Sequence, residues 1–382
     1  MEIRLYKPPG HGDLRFVPVA VTNAAHRLTV SERFFAPGSF EVFISSGAAA
    51  ADKFEKYLFA LIDRSFWGVI LSISRSADSG GDVLAASGLC LKGLMSSRVT
   101  APPGFTYEQV GGVAGFDVAD GSTETCMKHF VASNFFQASA PTRGIPGLEI
   151  APDKNRGKPD DRYMTRFEPL SGVLEELGRG AGIGYSVAPD LADGKLVFDC
   201  IEGVDRSAGQ SENHRVIFEI ERKNVAAMSY QDSDMNMRNL FYASLSGSQF
   251  ADDTYTATVT RGDGELPNGI HRWEQHLDIS ASHPVPGKEL DELRRLAAAR
   301  AESYAPVSSF DAEILDTTLK YGVDYRLGDI VTVRHRGWGL AMNTRLTEME
   351  TVAADGGVAL SATFGDAPLN FISRLRRQIK GG

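Results

Sequence analysis

Asp329 is the first residue to weigh as a catalyst. It sits in YRLGDIVTV, Tyr325 to Val333, directly after a glycine and directly before a run of strand formers. A carboxylate held out on a tight turn can act as a general acid or base. An Asp in that position more commonly accepts hydrogen bonds from nearby backbone amides and fixes the turn. The second role is expected here, with Gly328 and Asp329 as a structural turn. The adjacent acids Asp160–Asp161 and Asp252–Asp253 do not suit glycoside hydrolysis, because glycosidase carboxylates converge across a cleft while adjacent side chains diverge. They read as solvated loop acids. In HRWEQH, His271 and His276 lie five positions apart, not the four that stack two metal ligands on a helix face. On a strand such a pair points to opposite faces, and Arg272 and Glu274 read as same-face polar partners. GRGAGIGY, Gly178 to Tyr185, has a Gly-x-Gly-x-Gly spacing, but a dinucleotide fingerprint needs a strand before it and a helix after it. Here the order is reversed, so the glycines read as helix termination at Gly178 and Gly180 and as close packing. No G-x-S-x-G elbow is present, and Ser45 and Ser79 lie in turns with no base partner in view. The residues therefore predict no catalytic set, no cofactor and no metal site.

The elements that would position these residues come next. A chain of 382 residues exceeds one ordinary core, so two or three domains are expected. Hydrophobic content of 42% and charged content of 23% are those of a globular protein. A net charge of -9 argues against a nucleic-acid surface. The basic run ISRLRRQIK near the C-terminus reads as a solvated terminal helix. Cys90, Cys126 and Cys200 form no CxxC pair, so zinc and disulfide frameworks lack support and each reads as a small core hydrophobe. MEIRLYKPPG has no apolar signal region, and YLFALIDRSFWGVILSI is cut by Asp63–Arg64. Synthesis in a cytoplasm without a membrane anchor is the expectation.

Short β segments dominate. Residues 27–35 and SFEVFIS form a hairpin around Ala-Pro-Gly, with Phe40, Val42 and Ile44 on one face. FWGVILSISRS follows, with Trp67, Val69, Leu71 and Ile73 on one face, and VLAASGLCLKGLM returns after DSGGD. TETCMKHFVASNFF has helical spacing through Cys126, Phe130 and Asn134. PLSGVLEELGRGAG is helical through Leu170, Val173, Leu174 and Leu177. GIGYSV and KLVFDC make a hairpin, and RVIFEIE, LFYASLSG and TYTATVTR read as strands. KELDELRRLAAARAESY is a helix with Leu290, Leu293, Ala297, Ala301 and Tyr304 on its stripe, set between Pro286–Gly287 and Pro306. SFDAEIL, the strand of YRLGDIVTV, NTRLTEMETV and VALSATFG close the chain. The class is α+β with mostly antiparallel β.

The order of these features carries a resemblance. LTVSERFFAPGSFEVFIS resembles the segment of siphophage tail-hub proteins in which an aromatic-rich strand, a Gly turn and a Phe-Glu-x-x-Ile strand follow one another. FWGVILSISRSADSGGDVLAASGLCLKGLMSSRV is similar to the next unit of that family. LEELGRGAGIGYSV and KLVFDCIEGVDRS resemble its mid-chain helix and hairpin, whose Gly-x-Asp-Arg-Ser element is here Gly203, Asp205, Arg206 and Ser207. YRLGDIVTV, RLTEME and ATFG resemble its C-terminal barrel. The family is the siphophage tail-tip and baseplate hub group of Gp37-like tail proteins, with a fold shared by myophage baseplate hubs and the N-terminal parts of tail-associated lysins. The likeness spans roughly residues 25–365, and nothing in residues 101–160 is matched.

This resemblance implies two β-barrel-like domains, residues 1–100 and 206–370, the second with an inserted helix at 288–304. An inserted α/β region at 101–205 and a basic tail at 371–382 complete the chain. It implies a non-enzymatic homotrimeric hub at the phage tail tip that adapts a sixfold tail tube or distal tail ring to threefold tip proteins. Its partners would be the distal tail or tail tube protein, the tape measure protein and tip, fibre or receptor-binding proteins, with DNA only in transit through a channel. Relatives that cleave cell wall carry an added C-terminal hydrolase domain, which is not expected here. The competing readings are a tail-associated cell-wall hydrolase or peptidase and a carbohydrate- or receptor-binding tip module. Trp67, Trp273 and Trp338 are the sugar-stacking candidates, although a core or interface role suits them better.

Overall fold

A computed structural model describes residues 2–10, 14–78, 81–104, 115–136, 141–159, 161–245, 255–261, 265–279, 289–354 and 357–365. Ser79, Asp160, Asp252, Asp253, Pro286, Gly287 and the basic tail at 371–382 lie outside them. The chain begins with β1 (Ile3–Lys7), β2 (Val17–Thr22), β3 (Ala25–Arg33), β4 (Ser39–Ser45), β5 (Phe59–Ile62), β6 (Phe66–Asp78) and β7 (Gly81–Cys90). Next come β8 (Asp117–Gly121), α1 (Thr123–Phe135), β9 (Leu148–Ile150), β10 (Asp161–Thr165), α2 (Leu170–Ala181), β11 (Ile183–Asp190) and β12 (Lys195–Glu202). Then follow β13 (Ile217–Phe218), β14 (Val225–Ser233), β15 (Leu240–Leu245), β16 (Tyr255–Thr260), β17 (Glu274–Asp278) and α3 (Glu289–Ala301). The last strands are β18 (Val307–Ile314), β19 (Ile330–His335), β20 (Leu340–Ala354) and β21 (Gly357–Gly365).

Most pairings are antiparallel, and helices are few, as the α+β reading expects. A 13-stranded sheet runs in the order β14-β18-β21-β20-β3-β4-β7-β6-β5-β1-β2, with β19 and β13 branching from β20. The long β20 joins the two ends of the chain. Its first half pairs with β19, Ile330 opposite Arg345, and its second half pairs with β3 and β21. The path stays open, because its end strands β14 and β2 do not pair, and no set of described strands closes as a barrel.

The chain divides into two compact units, residues 1–228 with 311–364 and residues 229–310 with 365–382. In the first, one core forms where the alternating residues of β3, β4 and β7 meet: Leu28, Val30, Phe40, Val42, Ile44 and Leu84 are buried together. Burying each such side chain contributes roughly 1.5–3 kcal/mol. A second core packs α1, α2, β11 and β12 through Phe130, Val131, Leu174, Tyr185 and Phe198. In the other unit, Leu293, Ala297 and Ala301 of α3 cover Phe241, Ala243 and Leu277 of β15 and β17.

Four local readings are corrected. Trp67, Val69, Leu71 and Ile73 do not share a face, because the register shifts between Ile70 and Ser72. This bulge leaves Leu71 42% exposed and turns Ile70 into the core. The helix α2 runs past Gly178 and Gly180, and its left-handed cap is Gly182 at φ 71°. RVIFEIE is a strand only at Ile217–Phe218, because Asn224 folds back to accept from the Glu219 amide and donate to the Ile217 carbonyl. Leu290 is exposed and leaves the α3 stripe, which starts at Leu293. The three cysteines are free. No helix of the described residues is long and apolar enough to cross a membrane.

Candidate functional site

The segments Gly203–Ser207 and Arg326–Ile330, singled out separately in the sequence, meet in the larger unit. The Asp329 amide donates to the Arg326 carbonyl at 3.1 Å, closing a four-residue turn whose third residue, Gly328, has φ 95°. That is the geometry of a type II turn, which needs a glycine there. A side chain at Gly328 would also enter the Phe34 ring, whose nearest atom stands 2.2 Å from an ideal Cβ. Across the turn Gly203 presses on the Gly328 carbonyl, and a Cβ on Gly203 would stand 1.7 Å from that oxygen.

Asp329 is only 3% exposed, and its carboxylate is surrounded by donors. One oxygen accepts from the Val204 amide at 2.8 Å. The other accepts from Arg206 Nε at 2.8 Å and from the Arg326 amide at 3.0 Å. Main-chain bonds extend the clamp, from the Ile330 amide to the Val204 carbonyl at 3.0 Å and from the Arg206 amide to the Ile330 carbonyl at 2.8 Å. Asp205 accepts from the Ser207 amide at 2.8 Å. Arg345 Nη1 donates to the Gly328 carbonyl at 2.5 Å while its guanidinium lies over the Phe34 ring, 5.3 Å from the centroid. The buried Lys92 donates to the Arg33 and Phe34 carbonyls and lies over the Tyr185 ring, 5.0 Å from the centroid. Burial pulls its ammonium down to about 8.

Two further carboxylates are saturated in the same way. Glu219 accepts from Arg334 Nε at 3.0 Å, Arg334 Nη2 at 2.6 Å and Arg336 Nε at 2.5 Å. The Arg334 bonds, opposed by burial and joined by those of Arg336, hold its carboxyl near about 2. Glu124 accepts from Lys128 Nζ at 2.6 Å and from Arg156 Nε and Nη2 at 2.9 and 2.7 Å. Asp199 shares both cations, at 2.9 Å from Lys128 and 2.8 Å from Arg156. Burial raises the Glu124 pKa, but the bonds from Arg156 and Lys128 outweigh it and bring it to about 2. A third buried acid, Asp117 on β8, accepts from Ser133 Oγ and lies 2.6 Å from His129 Nε2. The serine contacts the carboxylate and not the imidazole, so this is not a nucleophile–base pair. Carboxylates with both oxygens engaged by fixed protein donors hold distant segments together.

The remaining sequence candidates stay apart. His276 Nε2 bonds Ser244 Oγ at 2.9 Å, while the His271 carbonyl accepts from Asn239. Arg272 and Glu274 do pair, at 2.5 Å. No group of three metal-ligating side chains occurs among the described residues. Asp161 opens β10 opposite Gly121, and Ser45 ends β4 on the surface. Trp67 packs against Tyr6 and Phe16. Trp273 is half exposed beneath Arg238, and Trp338, also half exposed, stacks on His335 at 3.8 Å. The sequence reading missed Glu219, Arg334, Arg336, Arg156 and Asp199. Glu124–Lys128 and Glu219–Arg222 left a local trace, as i,i+4 and i,i+3 opposite-charge pairs.

The model of a protein family described as "Siphovirus ReqiPepy6 Gp37-like protein" matches residues 3–366. No curated protein sequence matches the chain. Among solved structures the fold is similar to the prophage MuSo2 43 kDa tail protein of Shewanella oneidensis, at 14% identity and a TM-score of 0.54, over 95% of this chain and 98% of that one. It is similar to the tail protein of Neisseria meningitidis MC58, at 15% identity and a TM-score of 0.55, over 96% of each chain. It also resembles the prophage tail protein gp18 of Listeria monocytogenes EGD-e, at 12% identity and a TM-score of 0.51, over 100% of this chain and 99% of that one.

Proposed function

The chain belongs to the Siphovirus ReqiPepy6 Gp37-like protein family, and from that membership we propose that it is a structural protein of the bacteriophage tail tip. The reading is a homotrimeric hub that adapts a sixfold tail tube or distal tail ring to threefold tip proteins and lines the DNA exit channel. The observation that carries it is the family match over residues 3–366. Fold likeness to three tail proteins, two of them from prophages, over nearly their whole lengths supports it. Within this reading residues 1–100 and 206–370 are the two hub domains and 101–205 the inserted region. The distal tail or tube protein, the tape measure protein and the tip or fibre proteins are the partners. The virion is the place of action.

The Gly328–Asp329 turn, clamped on Gly203–Ser207, serves this function by fixing β19 against the mid-chain, so that a rigid subunit meets its neighbours. We also assign the chain no enzymatic activity. That both carboxylate oxygens of Asp329, Glu219 and Glu124 are engaged by protein donors supports that assignment.

Immunogold labelling of purified virions tests the location, and label at the distal tail end is expected. Label confined to capsids, or absent from virions, refutes it. Light scattering of the pure protein tests the assembly, and a mass three times the 41.4 kDa chain is expected. A monomer at every accessible concentration, with no threefold density at the tail tip by electron microscopy, refutes the trimer. Release of soluble muropeptides from host walls, abolished by a single substitution, refutes the non-enzymatic assignment.

A further inference from the structure

The smaller unit holds a three-stranded sheet, β16-β15-β17, with α3 covering one face. The opposite face is composed differently. Thr258, Tyr242 and His276 stand in register across its middle, and Thr256 and Ser244 form the next row. Thr256, Thr258, Glu274 and His276 are exposed, and Tyr242 is 40% exposed. A depression of about 230 Å³ is lined by Tyr242, Ser244, Thr256, Thr258 and His276. That is small beside drug-sized pockets, and it suits a single sugar ring presented by a polymer.

We propose that this face binds a neutral saccharide. Tyr242 supplies a rigid aromatic platform. Its hydroxyl accepts from Arg272 Nη2 at 2.7 Å and donates to Glu274 Oε1 at 3.1 Å, so the ring is held in place while the residue stays 40% exposed. An aromatic ring of this kind takes the C–H face of a pyranose as apolar surface while polar neighbours meet its hydroxyls. Those neighbours are present in both senses. Thr256 and Thr258 donate or accept, and Ser244 and His276 are already aligned by their 2.9 Å bond.

The charge pattern selects against anions. Among the described residues of this face the one guanidinium, Arg272, is paired with Glu274 at 2.5 Å, and Asp278 adds a carboxylate in the row beside Ser244. A phosphate, sulfate or nucleic-acid backbone finds no uncompensated cation among these described residues. A protein partner is disfavoured by composition, because interface cores are rich in apolar and aromatic groups. Among the described residues this face exposes one aromatic ring and no aliphatic side chain. The inference stands independently of the tail-tip reading, which virion labelling decides.

The test is saturation-transfer NMR on the full chain. The probes are chitotetraose, maltotetraose, a galactose tetrasaccharide and a rhamnose tetrasaccharide, with heparin and inorganic phosphate as anionic probes. Transfer to at least one neutral sugar is expected. Tyr242→Ala should weaken it at least tenfold, on the order of one stacked ring, and Tyr242→Phe less than Tyr242→Ala. Thr258→Arg, at an exposed position, should block the face while leaving the melting curve unchanged. It therefore decides the matter if Tyr242→Ala fails to fold. Transfer to none of the four sugars overturns the proposal. So does transfer that survives both Tyr242→Ala and Thr258→Arg, or a preference for heparin or phosphate.

Discussion

Replacing Asp329 with alanine removes the acceptor for three donors at once. The Val204 and Arg326 amides, now 2.8 and 3.0 Å from the carboxylate, would be left without a partner in a site where Asp329 is 3% exposed. A buried unsatisfied amide costs about 1–3 kcal/mol. Arg206 loses its counter-charge, but its side chain is 20% exposed, and water offsets part of that loss. The three effects share one cavity and do not add in full, so a total of about 3–5 kcal/mol is expected, the range for breaking a buried ion pair. At roughly 2 °C per kcal/mol for a large domain, the melting transition of the larger unit should fall by about 6–10 °C in calorimetry. Asp329→Asn should cost about half as much, because one oxygen still accepts while the amide nitrogen faces donors. A double-mutant cycle with Arg206→Met should return a coupling of about 1–2 kcal/mol. An alanine variant melting within about 1 °C of the parent would refute the clamp. So would additivity in the cycle to within about 0.3 kcal/mol. A variant that keeps its melting temperature and loses an enzymatic activity would restore the catalytic reading of Asp329.

Gly203→Ala should cost about 3–5 kcal/mol through its 1.7 Å encounter with the Gly328 carbonyl, whereas Gly172→Ala, with open space around it in α2, should be neutral or stabilise by up to about 0.5 kcal/mol; equal effects in urea unfolding would contradict the packing argument. The His129 pKa is raised, chiefly by its hydrogen bond to Asp117, with burial opposing and the charges of Asp117 and Asp120 assisting. A folded pKa above the unfolded value of 6.5 gives stability that is complete at lower pH and is lost as pH rises through the folded pKa. The parent should therefore lose stability relative to His129→Gln on going from pH 6 to about 8.5, and parallel pH profiles would sink the idea. Glu124, held near about 2 against an ordinary 4.5, contributes stability that is present above 4.5 and lost as pH falls toward 2. Glu124→Gln should thus destabilise by about 3–5 kcal/mol at neutral pH, with the gap narrowing below pH 4.5; a gap independent of pH in denaturant titrations would show that charge is not the cause.

Much of the architecture was legible in particular stretches. β4, β11, β12 and the end of β21 alternate because one face of each is buried, although Val358 at the start of β21 is 67% exposed, and α2 carries an apolar stripe because it packs on one side. β14 was missed for the converse reason. VAAMSYQDS buries only Val225, so an edge strand held by backbone bonds leaves no pattern in its side chains. The break at Leu71 was missed because a bulge is a property of the pairing and not of the strand. The α2 stop was displaced because all three of its late glycines allow a left-handed turn, and only Gly182 adopts one.

The clamp shows where local reading ends. The sequence by itself determined that Gly328 and Asp329 suit a turn before a strand, and likeness to a family drew notice to Gly203, Asp205, Arg206 and Ser207. Only the tertiary structure decided that these are one site, because Asp329 and Arg206 stand 123 positions apart and meet at 2.8 Å. The same holds for Glu219 with Arg334, 115 positions apart, and for Glu124 with Arg156, 32 apart. A carboxylate in a sequence reads as a solvated acid until its burial is known. Burial is set by which distant segments pack above it, and those segments also bring the guanidinium groups that make the burial tolerable. Periodicity is written into neighbouring residues by the geometry of a single helix or strand, so it survives in the sequence; the partner of a buried charge is chosen by the fold.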